Sequence, residues 1–293
     1  MQIGLLASGR LGLIVLEDLF QEYDLTFVMT DKKSEDIIGF CQKRGLDLFI
    51  GNPREGRSNA FISNRDVDVL ISVNYLFLIE QELIRHPKKF CFNLHGSLLP
   101  KYRGRTPHVW AIINGELQTG ITAHLIDEGC DTGNILKQVS IAIGKEDTGA
   151  AILDKFAEIY PKLVREVLLQ IKNNQLKPIA QDVRKATYFG KRTPQDGEIN
   201  WMWSKERIYN WIRAQAPPYP GAFTFANHEK IIIKSSRFST QGFDYKIKDG
   251  TVLSVEPFLV KTCNGVLELD LVNPSDLAKL KINTLLGNQN NTE

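Results

Sequence analysis

Phe90-Cys91-Phe92-Asn93-Leu94-His95-Gly96-Ser97-Leu98-Leu99-Pro100 is the stretch on which the fold turns. Its first six residues have strand character, and the Gly-Ser-Leu-Leu-Pro that follows has the composition of a turn. With the strand extended back to Lys89, its period of two puts Asn93 and His95 on one side at its carboxyl end. Two hydrogen-bond donors then point together, which suits a carbonyl oxygen that gains negative charge during acyl transfer. Asp131, 36 residues after the histidine, adds a carboxylate suited to the proton that must leave an attacking group.

Upstream of this strand, residues 3–7, 25–29, 46–50 and 67–73 are apolar runs of strand character, and 11–20 and 35–44 are helices, the second ending at Gly45 as a C-cap would. The alternation predicts an α/β fold with an open, mostly parallel sheet. Ligands of such sheets sit outside the carboxyl ends of the strands, where the motif falls. Downstream, 134–143 reads as a strand and 148–172 as a long helical pattern with Ile152, Phe156, Tyr160, Leu163, Val167 and Ile171 on one face. Pro161 interrupts that pattern and predicts a kink or two helices. Residues 173–197 turn polar, as a segment crossing between domains does, and Ile208, Trp211 and Ile212 mark a short helix. Beyond Pro217-Pro218-Tyr219-Pro220-Gly221, the runs 222–225, 231–233, 251–255, 257–260 and 266–271 are brief and separated by turn residues, which predicts a small β-rich, barrel-like domain. The tail, 288–293, is expected to fray.

The 293 residues, 43% apolar and 24% charged, can build the core of a soluble globular protein with one large domain or two ordinary ones. A net charge of +2 from 36 basic and 34 acidic residues leaves no broad basic face, which argues against nucleic acid or anionic lipid as partner. No apolar run reaches the ~18 residues of a membrane helix, and Met1-Gln2-Ile3-Gly4 enters a strand without a signal sequence, so the expected location is the cytoplasm. Cys41, Cys91, Cys130 and Cys263 form neither a metal clip nor a disulfide framework and read as reduced, mostly buried thiols, Cys130 included. His86, His95, His108, His124 and His228 lack ligand spacing, so no metal is expected, and His124 reads as a structural residue on a strand.

Gly4-Leu5-Leu6-Ala7-Ser8-Gly9-Arg10-Leu11-Gly12 follows the first strand and opens a helix, where phosphate could meet free backbone N–H groups. It has no G-x-G-x-x-G, and no lysine precedes a serine or threonine as a P-loop requires, so NAD and P-loop chemistry are both disfavoured. A tight turn lining a substrate pocket remains, with Ser8 and Arg10 as contacts. Lys101, Arg103 and Arg105 form a dense cation cluster just after the central motif, either a solvated surface run or an anion contact.

The composite of Asn93-x-His95, Gly96-Ser97-Leu98-Leu99-Pro100-Lys101-Tyr102-Arg103-Gly104-Arg105 and Asp131-Thr132-Gly133 resembles the formyltransferases that use N10-formyltetrahydrofolate. Lys191-Arg192-Thr193-Pro194 with Trp201, and Pro218-Tyr219-Pro220-Gly221-Ala222, look like the branch that formylates amino groups of nucleotide-linked deoxysugars. The resemblance implies a Rossmann-like catalytic domain over residues 1–185, a linker over 186–203 and a small open-barrel, OB-like C-terminal domain over 204–293. It also implies Asn93, His95 and Asp131 as the catalytic trio, and N10-formyltetrahydrofolate as formyl donor. Its pterin would be held by the loops carrying Val73, Asn74, Tyr75, Leu76 and Phe77 and, after the later strand, Ile126, Asp127 and Gly129. The acceptor it implies is a dTDP- or UDP-linked 4-amino-4,6-dideoxyhexose or a relative aminated at C3 or C4, destined for lipopolysaccharide or other surface glycan. On that reading Lys101, Arg103 and Arg105 reach a diphosphate, while Tyr102, Tyr219 and Trp201 stack on a base or fill the domain junction, Trp201 favouring the junction. Related enzymes are often dimers, so a homodimer is implied, although no apolar stripe defines an interface.

The chemistry agrees with the resemblance. An alkyl amine is mainly protonated at pH 7, and a carboxylate that accepts its proton raises the reactive fraction, a task that fits Asp131. N–H groups of Asn93 and His95 suit the oxyanion, and loss of one such donor typically costs a factor of about 10² to 10³ in turnover. Asp131 orienting His95 is the other role open to it. A methionyl-tRNA formyltransferase shares both domains, but usually carries a basic insertion after its second strand, where Thr30-Asp31-Lys32-Lys33-Ser34 here leads straight into a helix, and tends to have Ala at the position of Gly96. A hydrolase releasing formate from the same folate would use the same trio with water, behind a fused regulatory domain not seen here. A non-catalytic binding module is disfavoured by the complete trio.

Overall fold

β1 (Gln2–Ala7), β2 (Asp24–Thr30), β4 (Val69–Val73) and β5 (Phe90–His95) are mostly apolar and buried, β4 without an exposed residue, because strands buried on both faces of a parallel sheet have no solvent side to mark with polar residues. They belong to a computed structural model that describes residues 1–287, so the tail expected to fray lies outside the described residues. Between them run α1 (Gly9–Glu22), α2 (Glu35–Arg44), β3 (Leu48–Ile50), α3 (Asn59–Ile62) and α4 (Gln81–Ile84). α2 ends as expected, at Gly45 in the left-handed conformation (φ +66°) with its N–H on the Cys41 and Gln42 carbonyls. There follow β6 (Arg103–Gly104), α5 (Pro107–Ile113), β7 (Gln118–Leu125), β8 (Ile135–Ala142), α6 (Gly149–Lys172), β9 (Tyr188–Phe189) and α7 (Lys205–Ala214). The chain closes with β10 (Ala222–Ala226), β11 (Glu229–Ser239), β12 (Val252–Ser254), β13 (Leu259–Thr262) and β14 (Gly265–Leu271).

Two compact units result, one from residues 1–107, 119–142 and 154–189, the other from 108–118, 143–153 and 190 onward. In the first, a seven-stranded sheet runs in the order β3-β2-β1-β4-β5-β7-β8. Its members are parallel from β3 through β5, and β7 joins β5 antiparallel. This is the open, mostly parallel sheet read from the apolar runs. Leu6, Phe27, Met29, Leu70 and Cys91 form a core cluster on which Tyr75 and Ile126 pack, so the loops leaving β4 and β7 share one apolar base.

Pro161 does not divide the long helical pattern: α6 is a single helix of 24 residues with the proline inside it. Ile152, Phe156, Tyr160, Val164, Val167 and Ile171 are all buried along one side. Burying six such side chains, at about 1.5–3 kcal/mol each, outweighs the ~3 kcal/mol that an interior proline costs. The polar stretch after α6, read as a crossing between domains, is instead tied to the first unit up to residue 189. Ile179 and Ile135 exchange backbone N–H···O bonds of 2.8 Å, and β9 pairs in parallel with β6, Arg103 opposite Tyr188.

In the second unit, β10-β11-β14-β13-β12 form an antiparallel sheet whose outer strands are β10 and β12, in keeping with the small β-rich domain expected. The run expected over 231–233 extends to the eleven residues of β11. Trp201 is buried within this unit and donates its Nε1–H to Thr224 Oγ1 at 2.9 Å, a core role rather than a platform for a base. Tyr219 accepts or donates at His108 Nε2 over 2.6 Å and is likewise engaged. Among the described residues no helix is long and apolar enough to cross a membrane.

Candidate active site

β5 delivers a half-buried Asn93 and a buried His95, the histidine 6% exposed. Antiparallel pairing with β7 sets Asn93 directly opposite His124 and His95 opposite Thr122. Directly opposed residues have their side chains on the same face, so His124 enters the cluster. Its Nδ1 lies 2.8 Å from the Leu125 carbonyl oxygen, which can only accept, so Nδ1 carries the ring proton. Nε2 is then a lone pair, and the Asn93 amide donates to it at 3.2 Å. One Asn93 N–H remains for another acceptor.

His95 is held the same way by a different carbonyl. Its Nε2 lies 2.7 Å from Tyr102 O and carries the proton, leaving Nδ1 facing Asp131 Oδ1 at 3.6 Å. Burial pushes the His95 pKa down, against the pull of Asp131 and of the Tyr102 carbonyl. The ring is therefore neutral at pH 7, and its one N–H is already taken. The two donors read from the period of β5 thus become one free donor, on Asn93, beside a histidine that presents a lone pair.

Asp131 sits in the left-handed region at φ +55°, a conformation that costs a non-glycine residue about 1–2 kcal/mol. Neighbours on three sides hold it there. Gly104 N–H donates to Oδ2 at 2.9 Å, His124 Nε2 lies 3.5 Å from Oδ1, and Gln181 Nε2 donates to the backbone oxygens of Asp131 and Gly133 at 2.9 and 2.7 Å. Burial opposes the charge, yet the carboxyl is held well below the usual aspartate range, and with both imidazoles neutral the donor left to do so is the Gly104 N–H. Gly104 (φ +101°) and Gly133 cannot be replaced freely, since a Cβ would fall 2.3 Å from Phe189 O and 1.9 Å from Leu125 O.

The structure brings together Asn93, His95 and Asp131 and adds His124 and Gln181, which sequence reasoning missed. For His124 a signal existed, the i, i+2 spacing of Thr122 and His124 that mirrors Asn93 and His95. For Gln181, 50 residues from its partner Asp131, there was none. Around them, Val73 closes β4 and Asn74 (φ +53°) donates to Ser8 O at 3.2 Å. Tyr75 meets Phe77 edge to face at 5.5 Å, Leu76 is exposed, and Ile126 N–H reaches Cys91 O at 3.0 Å. Asp127 Oδ1 accepts the Gly129 N–H at 3.1 Å and the Thr132 hydroxyl, closing the turn that leads to Asp131.

The expected anion contacts divide. Lys101 and Arg105 are exposed, Arg105 reaching Leu76 O at 3.4 Å. Arg103, expected at a diphosphate, is instead 1% exposed and bonded to Gln181 and Tyr188, the latter set opposite it by the β6–β9 pairing. Tyr102 is buried with its ring stacked on Phe189 at 4.9 Å, so it is not free for a base. Ser8 is buried, and the exposed Arg10 pairs with Asp154. Cys41 and Cys91 are buried, but Cys130 and Cys263 are exposed, Cys130 because it rides the turn before Asp131. Its thiol is pushed up by partial burial and by Asp131, whose Oδ2 is 3.6 Å away.

Residues 21–168, just over half of the chain, match the family model described as formyl transferase, and 191–290 match the formyl transferase C-terminal domain. The chain belongs to the formyl transferase family. Among solved structures, it resembles WlaRD, a sugar 3N-formyl transferase determined with dTDP and 5-N-formyl-THF, at 20% identity over 93% of this chain and 98% of that one, with a TM-score of 0.73. An N-formyltransferase from Helicobacter canadensis, in complex with folinic acid and dTDP-3-aminofucose, matches at 20% identity, 92% and 98% coverage and a TM-score of 0.75. A 4-N formyltransferase from Francisella tularensis matches at 21% identity, 79% and 95% coverage and a TM-score of 0.65. At these identities the shared property is the fold.

Proposed function

We propose that this enzyme transfers a formyl group from N10-formyltetrahydrofolate to the amino group of a nucleotide-linked amino-deoxysugar. The acceptor is a dTDP- or UDP-linked 4-amino-4,6-dideoxyhexose or a relative with its amine at C3 or C4. The observation that carries the reading is an ionised Asp131 held 3.5 and 3.6 Å from two histidine rings, beside an Asn93 amide with one N–H unspent. Family membership supports the reaction class, and the similar sugar enzymes that bind dTDP and formylated folates support the substrates.

In this scheme Asp131 takes the proton from the attacking amine, and its depressed pKa keeps it charged to do so at neutral pH. Asn93 directs its free N–H at the oxygen that gains charge, with His124 holding the amide in the donating orientation. Neutral His95 borders the same space and fixes the 95–102 turn through Tyr102 O. The folate supplies the activated one-carbon unit. Loops 73–77 and 126–131 are assigned to its pterin, supported by Tyr75 and Ile126, which rest on one apolar cluster. Ser8, Arg10, Lys101 and Arg105 are assigned to the nucleotide-sugar, while Arg103 and Tyr102 are withdrawn from it. Residues 1–185, extended to 189 by the β6–β9 pairing, are assigned as the catalytic part, the linker shortens to 190–203, and 204–287 are assigned as an OB-like part of a cytoplasmic homodimer serving lipopolysaccharide, O-antigen or another surface glycan.

Incubation with formyltetrahydrofolate, with and without amino-sugar nucleotides, tests the reading through released tetrahydrofolate. Acceptor-dependent release is expected. Release without acceptor would indicate a hydrolase, and turnover only with aminoacylated tRNA would overturn the sugar assignment.

A further inference from the structure

We infer that Gln181 is a positioning residue for Asp131, and that the buried Arg103 guanidinium dictates which way its amide faces. The inference rests on the reading of Asp131 as the proton acceptor. Every hydrogen-bonding capacity of the Gln181 amide is in use. Nε2 gives one hydrogen to Asp131 O at 2.9 Å and the other to Gly133 O at 2.7 Å, while Oε1 receives Arg103 Nε at 3.2 Å and Nη2 at 2.6 Å. A flipped amide would aim N–H groups at the guanidinium and oxygen at two carbonyls, so Arg103 excludes it. Arg103 Nη1 donates to the Tyr188 hydroxyl, and that ring lies under the guanidinium at 5.3 Å. A cation 1% exposed, held by neutral partners, is costly to bury, and fixing one amide is a function that accounts for it.

The consequence reaches the carboxylate through the backbone. With the carbonyls of residues 131 and 133 pinned, the left-handed Asp131 is over-determined and its side chain is delivered to Gly104 N–H and the two histidines. The other half of the clamp comes from the same segment. Arg103 N–H bonds Thr187 O at 2.8 Å, and Arg105 N–H bonds Phe189 O at 3.0 Å, which brackets the Gly104 N–H that Asp131 accepts. The charged and titratable groups facing Asp131 are then His95 from β5, His124 from β7, Cys130 beside it and Arg103 behind Gln181.

Gln181→Glu tests this directly. The carboxylate keeps the shape and an acceptor for Arg103, but removes both hydrogens that pin residues 131 and 133. The expected result is a fall in kcat of about 10–100-fold, as for a small misplacement of a reacting group, with KM for donor and acceptor held. On the unliganded protein, ¹³C-detected titration of the Asp131 carboxyl should move up toward the ordinary aspartate value of about 3.9. Because a glutamate would itself raise the Asp131 pKa by like-charge repulsion, the shift must also appear in the uncharged Gln181→Met, which carries the same readouts where circular dichroism shows Gln181→Glu unfolded. A folded variant with wild-type kcat and wild-type Asp131 titration overturns the inference. A wild-type protein that transfers no formyl group, with the titration still shifted in the variant, instead sinks the functional reading and leaves the positioning role standing.

Discussion

Asp31, just past the carboxyl end of β2, is 4% exposed; its Oδ1 accepts the Lys33 N–H at 2.8 Å and its Oδ2 the Ser34 hydroxyl at 2.6 Å. Asp131, in the same sheet unit, takes Gly104 N–H at 2.9 Å and faces His95 and His124 from two other strands. Both carboxyls are held below the usual aspartate range against the pull of burial. Apart from Ser8, which also lowers its pKa, the partners of Asp31 lie two and three residues away and make it a turn and helix-entry device, whereas apart from Cys130 the partners of the Asp131 carboxyl come from distant segments. Burial and a low pKa alone would not tell the two apart; the origin of the partners does.

Asp131→Asn should produce the largest effect, a loss of about 10³-fold in kcat, or about 4 kcal/mol of barrier. Retained turnover in a formyl-release assay would erase the distinction from Asp31. Asn93→Ala is expected to cost about 10²–10³-fold. His124→Phe, acting through that amide, should cost about tenfold and add little in the Asn93→Ala background, a non-additivity that a double-mutant cycle measures. Asp31→Ala should leave the kcat of the folded protein intact and lower the unfolding free energy by about 1–3 kcal/mol in urea titration. The converse pattern, lost turnover with unchanged stability, would place Asp31 in the site.

The pH dependence separates the regions further. Burial lowers the His95 pKa from the unfolded value of about 6.5. Below that pH the unfolded chain takes up a proton that the folded ring refuses, so this contribution is whole above pH ~6.5 and shrinks as pH falls toward the folded value. Asp131 acts in the same direction lower down, its contribution present above about 3.9 and lost as pH falls through its depressed value. Urea midpoints at pH 7.5 and 5.5 should therefore differ less in His95→Gln than in wild type, and an unchanged difference would contradict the neutral, buried ring. The smallest effect belongs beside Asp31. Gly39, inside α2, has nothing within 4 Å of an added Cβ, so Gly39→Ala should stabilise by about 0.5–1 kcal/mol.

Much of this was legible in the residues. Apolar runs located β1, β2, β4 and β5 because buried parallel strands have no polar face, and the period of two placed Asn93 and His95 together. His124 reads as structural, without its partner, because the i, i+2 spacing with Thr122 hints at a shared face while the antiparallel pairing that sets it against Asn93 is not visible locally. Arg103 reads as an anion contact or a solvated cation because arginine is usually exposed, and only the β6–β9 pairing, 85 residues apart at Arg103 and Tyr188, puts it inside. Of the two outcomes read from Pro161, a kink or two helices, the second fails for the opposite reason: a strong local breaker is overruled by a long buried face.

Because Asn93 faces His124 across two strands that run in opposite directions, the chemistry depends on alignment as much as on residue identity. Sliding β7 by one position would turn the imidazole to the far side of the sheet and strand the amide without its acceptor. Enzymatic turnover in refolded material thus doubles as a gauge of strand alignment, able to reject slipped chains that a bulk measure of secondary structure would pass as native.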